Sequence, residues 1–232
     1  QLSGSAFFTK DQQNNTVLCW TAGEKGKASL YFATYNKKLE KFNEAILVAP
    51  SYGTGIHGES INKVAFKNDG TIVAVYERKH PTEKNKFAGS IFYTQSFDHG
   101  TTWTPEKYLH TDTVREYGRS YFDIATLSDG EVAAVWLDGR NKLGSDGSSL
   151  YFTKTKGKTG FVSDKQIGET VCQCCRTDLA VDAQGVIHII YRDIESTIKG
   201  QVRDFVHVYS QDNGVTFSSI KKISDDNWVI SG

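Results

Sequence analysis

The chain has 232 residues, of which 38% are apolar, and its 27 basic and 27 acidic side chains give zero net charge at pH 7. This length allows one sizeable hydrophobic core, and the charge balance argues against a nucleic-acid-binding surface, which needs a basic excess. No apolar run approaches the roughly 18 residues that a membrane-spanning helix requires. The chain begins at Gln1 and contains no methionine, so we expect that an N-terminal segment has been removed, either as a signal peptide or by a boundary drawn within a longer chain.

From the N-terminus onward, short runs rich in β-branched and aromatic residues recur, separated by Gly, Asn and Asp turns, and few segments show a helical period. The runs align at three sets of positions: Leu30, Ile91, Leu150 and Val206; Trp20, Tyr76, Trp136 and Tyr191; and Phe42, Trp103, Phe161 and Phe217. All three sets keep one period of about 55 to 61 residues, which indicates an internal repeat.

Each period predicts four strands, which in the second repeat are residues 61–66, 71–77, 89–95 and 102–109. A four-stranded unit repeated four times predicts an all-β fold, a β-propeller with one antiparallel sheet per blade. The blades fall at approximately residues 5–49, 61–109, 120–167 and 175–223 of a single domain, and residues 225–232 resemble the start of a fifth. Because propellers close with about 4 to 8 blades, the four blades form either a closed ring or part of a larger one.

Two turns share the pattern Ser-x-Asp-x-Gly-x-Thr-aromatic, "SFDHGTTW" at 96–103 and "SQDNGVTF" at 210–217. The aspartates can accept backbone hydrogen bonds, the glycines can take a positive φ, and the aromatics can pack between neighbouring sheets. The neighbouring Asp98 and His99 are therefore predicted to build a turn rather than to catalyse a reaction. The residues with these structural roles are Ser96, Asp98, Gly100, Trp103, Ser210, Asp212, Gly214 and Phe217.

The placement of these turns predicts a second face, opposite to them, where the blade-to-blade crossovers and the long loops between second and third strands collect. Loops of this kind usually carry function. Their Arg/Asp pairs are either solvated salt bridges or an anion- and sugar-binding basin, since Arg forks bind carboxylates and carboxylates act on glycosidic bonds. The substrate-binding candidates are Arg119, Asp123, Arg140, Arg176, Asp178 and Arg192, and the catalytic candidates are Asp138 and Asp193.

The two Ser-x-Asp turns resemble the Asp-boxes of the sialidase-like, or BNR-repeat, propellers, and the likeness spans the whole chain as architecture. The resemblance implies a six-bladed ring in which three arginines hold the substrate carboxylate, an aspartate is the acid/base, and a tyrosine paired with a glutamate is the nucleophile. The Phe/Tyr-Arg-Ile-Pro motif that carries the first arginine is absent here, so no catalytic position is matched.

We therefore expect a secreted or periplasmic sialidase-like propeller, a glycoside hydrolase or a binder of an acidic glycan or glycoconjugate. The alternatives are a non-catalytic propeller that binds a protein or polysaccharide, and a metal-dependent function at a cysteine cluster. Fold alone does not decide among them. No nucleic acid and no transmembrane segment are expected.

Three of the four cysteines, Cys172, Cys174 and Cys175, lie in "CQCCR" on the predicted functional face. They predict a local disulfide, inert thiols, or a site for a thiophilic metal such as Cu(I) or Zn²⁺. In an extended segment Cys172 and Cys174 would point one way and Cys175 the other. Apart from that metal, no cofactor is expected, and Cys19 is predicted to be a core residue.

Overall fold

A computed structural model describes residues 2–140, 147–198, 200–224 and 228–230, and these contain strands and two short 3₁₀ turns but no α-helix. The strands are β1 Leu2–Lys10, β2 Thr16–Gly23, β3 Ser29–Asn36, β4 Lys41–Phe42, β5 Ile46–Val48, β6 Lys63–Phe66, β7 Ile72–Lys79, β8 Gly89–Ser96, β9 Lys107–Tyr108, β10 Arg119–Thr126, β11 Val132–Asp138, β12 Ser148–Lys154, β13 Lys165–Val171, β14 Asp178–Val181, β15 Ile187–Arg192, β16 Glu195–Thr197, β17 Gly200–Val202, β18 Phe205–Ser210, β19 Lys221–Lys222 and β20 Val229–Ile230.

Four antiparallel sheets follow one another along the chain, and each is a simple meander. Their strand orders are β1-β2-β3-β4 with β5 also paired to β3, β6-β7-β8-β9, β10-β11-β12-β13, and β14-β15-β18-β19. The sheets are arranged as the four blades of a β-propeller, so the all-β propeller prediction is confirmed.

The apolar faces of the central strands meet between the blades. In β2, buried residues alternate with partly exposed ones, whereas β11 is buried along its whole length because both of its faces are covered. Three clusters of buried side chains join blade one to two, two to three, and three to four. Among the described residues no such cluster joins blade four to blade one, and Phe8 and Ile190 remain exposed on those two blades.

The aromatic marker of the repeat packs blades two, three and four against the blade that precedes each of them. Trp103 of blade two meets Phe32 of blade one edge-on, with ring centroids 6.4 Å apart. Phe217 of blade four meets Phe152 of blade three in the same way at 5.0 Å. The burial of an aromatic between neighbouring sheets that the repeat predicts is thus observed, and it explains why the marker recurs once per blade.

The fourth strands are shorter than the sequence predicts. In blade two, the ladder between β8 and β9 includes only Lys107 and Tyr108, although residues 102–109 are predicted as a strand. Pro105 lies in this segment and has no N–H to donate to a ladder. Thr104 contacts β8 outside the ladder of Lys107 and Tyr108, since its N–H donates to Gln95 O at 2.8 Å.

The turns between first and second strands lie beside the turns between third and fourth strands. Lys67 Nζ donates to Gly157 O at 2.8 Å, and Ser128 Oγ donates to Asn213 Oδ1 at 2.9 Å. Each bond joins one turn of the first kind to one of the second. Both kinds of turn therefore lie on one face, which we call the turn face.

The crossovers and the loops between second and third strands meet at the other ends of the strands. Gly139 N donates to Gly118 O at 2.8 Å, and Asn85 Nδ2 donates to Glu116 O at 2.8 Å. In blade two, the eight residues of β8 separate this end from Asp98 by roughly 23 Å. The predicted separation of the two faces is observed, and we call this second face the rim.

A small additional sheet lies on the rim of blade four. The hairpin of β16 and β17 interrupts the connection from β15 to β18, and Gln201 and Val202 of β17 pair with Ile230 and Val229 of β20. Residues 225–227 and 231–232 lie outside the described residues, so a fifth blade at 225–232 stays a prediction. No helix among the described residues is long and apolar enough to cross a membrane.

Candidate functional site

The turn at Ser96 to Trp103 is held together by its own polar groups. Ser96 Oγ donates to Asp98 Oδ1 and accepts from Gly100 N, each at 2.8 Å, and Thr102 N donates to Asp98 Oδ1 at 2.8 Å. The donors from Thr102 and Ser96 lower the pKa of Asp98 to about 2. These bonds give Asp98 a role in the turn. The neighbouring His99 makes no hydrogen bond among the described residues. The second turn repeats these bonds at Ser210, Asp212, Gly214 and Thr216.

The rim contains a cavity of about 630 Å³, which we call the rim cavity. Its wall comes from two crossovers, the first residues of β10 and the loops after β7 and β11. The wall includes the side chains of His57, Ser60, Glu77, Lys79, Lys84, Phe87, Tyr121 and Cys174. The cavity therefore lies where the repeat predicted function, opposite the Ser-x-Asp turns.

Tyr121 is placed on the cavity wall by a bulge in β10. The pairing with β11 shifts register between Ser120 and Asp123, and Tyr121 has a φ of 53°. Its N–H donates to Ser60 Oγ at 2.9 Å, and its carbonyl accepts from Thr177 Oγ1 at 2.8 Å. A positive φ at a bulky residue is costly, so these bonds are needed to hold the bulge. Burial and then the charge of the nearby Glu59 raise the pKa of the Tyr121 hydroxyl.

His57 presents one defined nitrogen to solvent. Its Nδ1 accepts from the N–H groups of Glu59 and Ser60 at 3.1 and 3.0 Å. Since Nδ1 is an acceptor, the proton of the neutral ring lies on Nε2. The ring also meets Tyr121 edge-on, with centroids 5.9 Å apart. His57 thus offers an Nε2–H donor beside Tyr121.

Positive charge reaches the cavity through two lysines on one loop. Lys79 Nζ lies 3.6 Å from Glu77 Oε1, and Glu77 also accepts from Ser60 Oγ at 2.6 Å. Lys84 is exposed and makes no hydrogen bond or ion pair within the described part of the chain. Phe87 on the same loop is 81% exposed, an unusual position for a large apolar side chain. This loop combines a free cation with an exposed ring face.

Two of the predicted substrate arginines are bound to carboxylates of their own blade. Arg119 is fully buried; its Nε donates to Asp138 Oδ2 at 3.1 Å and its Nη2 to Asp112 Oδ1 at 2.8 Å. Arg140 Nη2 donates to Asp138 Oδ2 at 2.6 Å and to Asp164 Oδ2 at 2.7 Å. We call these five residues the blade-three charge network. Its geometry favours the salt-bridge interpretation of these charges.

The same network explains the state of Asp138, a predicted catalytic residue. Burial alone would raise the pKa of this carboxyl, but hydrogen bonds from Arg140 and the charges of Arg119 and Arg140 keep it below its usual value. Trp136 Nε1 also donates to Asp138 Oδ2 at 3.0 Å. A fully buried, permanently charged carboxylate that does not line the rim cavity is poorly suited to proton transfer with a bound substrate.

The innermost strands place the other candidates near the propeller axis. Asp123 is buried; its Oδ1 accepts from Lys63 Nζ, and its Oδ2 accepts from Leu179 N at 2.8 Å. Burial raises its pKa and the charge of Lys63 opposes that effect. Arg176 and Asp178 are exposed, and Arg176 makes no hydrogen bond or ion pair with the described residues. Of the predicted substrate arginines, Arg176 is the one whose guanidinium stays available.

The matched family decides what kind of propeller this is. The model of the BNR repeat-like domain matches residues 17–229. The chain belongs to this family. No curated protein matches the sequence.

Three of the solved structures that resemble this BNR repeat-like chain are named as carbohydrate-active proteins. The NanB sialidase from Streptococcus pneumoniae matches with a TM-score of 0.63 at 8% identity, over 96% of this chain and 52% of the sialidase. A PL25 ulvan lyase matches with a TM-score of 0.56 at 13% identity, over 98% and 59%. The α-L-arabinanase from Penicillium chrysogenum matches with a TM-score of 0.55 at 11% identity, over 92% and 63%. The chain thus spans about half to two thirds of these proteins, and at such identities the likeness shows the fold.

On blade four of the BNR repeat-like fold, Arg192 and Asp193 lie outside the wall of the rim cavity. Arg192 Nε donates to Arg203 O at 2.7 Å, and its Nη1 donates to Cys175 Sγ at 3.8 Å. Asp193 is half-buried, with its pKa raised by burial, and lines a separate groove of about 640 Å³ together with Gln166–Thr170, Ile194 and Ile220. The two predicted catalytic carboxylates, Asp138 and Asp193, therefore do not share a site.

The three clustered cysteines are brought together by a turn. Cys175 N donates to Cys172 O at 3.4 Å, so this segment is not extended, and the side-chain directions expected for an extended segment do not apply. Cys172 Sγ lies 3.1 Å from Cys175 Sγ and 3.4 Å from Cys174 Sγ. All four cysteines are free thiols in the structure. Cys19 is buried in the core as predicted, and burial raises its pKa to about 12.

Sequence reasoning located the rim loops but not the side chains that face the cavity. Residues 77–89 form one of the long loops between second and third strands, and Lys79 and Lys84 from this loop line the cavity. The predicted Arg119, Asp138 and Arg140 are instead bonded to one another. Tyr121 is on the wall because of a bulge in β10, and no residue pattern in "GRSYFDIA" predicts a bulge. The exposed Phe87 in an otherwise polar loop was the one sequence signal that could have been used.

Proposed function

We propose that this protein binds an acidic glycan in the rim cavity. The observation that carries the proposal is the combination, in one cavity on the rim, of the unpaired Lys84, the exposed Phe87 and the donors of His57 and Tyr121. Sugar-binding pockets pair ring faces with a few placed polar groups, and a cation selects a carboxylate or sulfate. The neighbours named as a sialidase, an ulvan lyase and an arabinanase support a carbohydrate ligand.

The charges around the cavity support an acidic rather than a neutral ligand. Glu77 is a carboxylate on the wall, and it is bound by Ser60 and Lys79. Lys84 has no such contact with any residue in the described ranges, so its ammonium group is available to an anion. The proposal includes a secreted or periplasmic location, where such glycans would be met.

Cleavage of the bound glycan is the second candidate, and the placement of Tyr121 favours it. The Tyr121 hydroxyl carries its proton at neutral pH, as tyrosine hydroxyls do and as its raised pKa also implies, and it lies on the cavity wall where it can donate to a glycosidic oxygen. His57 Nε2–H lies on the same wall as a second donor. In this proposal Asp138 and Asp193 take no part in the chemistry.

Calorimetric titration with a uronate-containing or sulfated oligosaccharide, and with its neutral counterpart, tests the binding proposal. We expect binding of the acidic compound only, weakened by salt, and a loss of about three- to tenfold in affinity in Lys84→Ala. The matched control is Lys158→Ala, an exposed lysine on the turn face, which should bind like the wild type. Equal binding of the neutral compound, or equal weakening by the two variants, would refute the proposal.

Release of new reducing ends from the bound oligosaccharide tests cleavage. A cleaving enzyme should lose most of its turnover in Tyr121→Phe while keeping its affinity for the glycan, since the hydroxyl acts on the reacting oxygen. Affinity without turnover in the wild type would leave a non-catalytic binding propeller. Turnover that survives Tyr121→Phe would show that another residue is the acid.

A further inference from the structure

The three sulfur atoms of Cys172, Cys174 and Cys175 have the separations of a metal-thiolate site. The Sγ–Sγ distances are 3.1, 3.4 and 4.0 Å, and the three atoms lie within 4.8 Å of one another. Three thiolates on one tetrahedral zinc ion, each about 2.3 Å from the metal, are about 3.8 Å apart. Changes of about 0.2 to 0.7 Å in these separations therefore fit the cluster around one ion.

Two arginines direct N–H groups at these sulfur atoms. Arg203 Nη1 donates to Cys172 Sγ at 3.6 Å, and Arg192 Nη1 donates to Cys175 Sγ at 3.8 Å. Each guanidinium is held by a second bond, Arg203 to Gln201 Oε1 at 2.9 Å and Arg192 to Arg203 O at 2.7 Å. Positive donors at fixed positions favour anionic sulfur, and metal-bound ligands usually have such outer partners.

A metal ion must displace the protons of the thiols that bind it, so zinc binding should weaken as the pH falls.

We propose that Cys172, Cys174 and Cys175 form a three-thiolate site for Zn²⁺, with its fourth position toward the rim cavity. Soft thiolate donors select such an ion over Mg²⁺ or Ca²⁺. Cys174 is exposed and lines the rim cavity, whereas Cys172 is buried beneath it. The ion would fix the crossover between blades three and four, and the site does not depend on the glycan proposal.

Elemental analysis of protein purified under reducing conditions without chelator, then equilibrated with zinc and desalted, tests this proposal. We expect one zinc per chain and a thiolate-to-metal absorption band when cobalt replaces zinc. Cys174→Ser should lower zinc affinity by about 100-fold or more, because one ligand is lost, and it should fold normally because Cys174 is exposed. The matched control is Cys19→Ala, which should keep its zinc.

A positioning variant adds a separate readout. Arg203→Met should lower zinc affinity by about 10- to 100-fold and move the pH at which zinc is released upward, because Cys172 loses its cationic donor. Two outcomes would overturn the proposal: three free thiols that retain no zinc, or zinc retained equally by Cys174→Ser and the wild type.

Discussion

Replacing Arg119 by alanine should destabilise the fold far more than it affects a ligand. The guanidinium is fully buried and donates to Asp138 and Asp112 and, through Nη1, to Val114 O at 2.9 Å. Breaking a buried ion pair by removing one partner costs about 3–5 kcal/mol, and we expect the lower part of this range because Arg140 still binds Asp138. That is a large part of the 5–15 kcal/mol by which domains are stable, so we expect a marked loss.

Urea unfolding followed by tryptophan fluorescence measures this loss, since Trp136 donates to the same carboxylate as Arg119. With an m-value of about 3 kcal/mol/M for a chain of this size, the midpoint should fall by about 1 to 1.5 M. Arg119→Lys should not restore it, because one ammonium group cannot reach three separated acceptors.

Arg176→Ala is the matched control for Arg119→Ala. Arg176 is exposed and unpaired among the described residues, so its removal should change the free energy of unfolding by no more than about 0.5 kcal/mol. The reasoning would be refuted if Arg119→Ala unfolded at the wild-type urea concentration and lost glycan binding. That result would return Arg119 to the substrate-binding role that the sequence suggested.

Two further predictions concern glycine and histidine positions. In thermal melts Gly214→Ala should lose about 1–3 kcal/mol more stability than Gly26→Ala. Both glycines have a φ near 80°, but only a Cβ at Gly214 would approach Phe152, to 2.4 Å. Equal losses of stability would contradict the inter-blade contact. Burial, and next the charge of Arg119, lower the pKa of His110 to about 4, below the 6.5 of the unfolded chain. Protonation therefore favours unfolding: the free energy of unfolding should be constant above pH 6.5 with respect to this group and fall by up to about 3 kcal/mol toward pH 4. Urea titrations between pH 4 and 6.5 should show that His110→Gln lacks this fall in the free energy of unfolding. A wild type and a His110→Gln variant whose free energies of unfolding change equally with pH would contradict the prediction.

The architecture could be predicted well from the sequence because the repeated positions are occupied by residues that define strands and turns. Trp103 and Phe217 recur at one place per blade, and each packs on the preceding blade. Gly100 and Gly214 take the positive φ that their turns require. These features are local, so the order of residues along the chain is enough to reveal them.

The cavity was harder to predict from the sequence, because its wall depends on contacts between blades. Arg119 and Arg140 were predicted to bind a substrate, but both donate to Asp138, and Arg140 also donates to Asp164, 24 residues further along the chain. Tyr121 reaches the wall only because a bulge in β10 is held by Ser60 from the preceding blade. Cys175 joins the other two sulfurs because residues 172–175 turn, whereas a strand was assumed there.

The central claim is that the rim cavity is the functional site, and a crystal structure of the protein with an acidic oligosaccharide tests it most directly. The account predicts that the ligand lies between Lys84, His57 and Tyr121, with its anionic group on Lys84. Ligand bound on the turn face or in the groove beside Asp193, with the rim cavity empty, would contradict it.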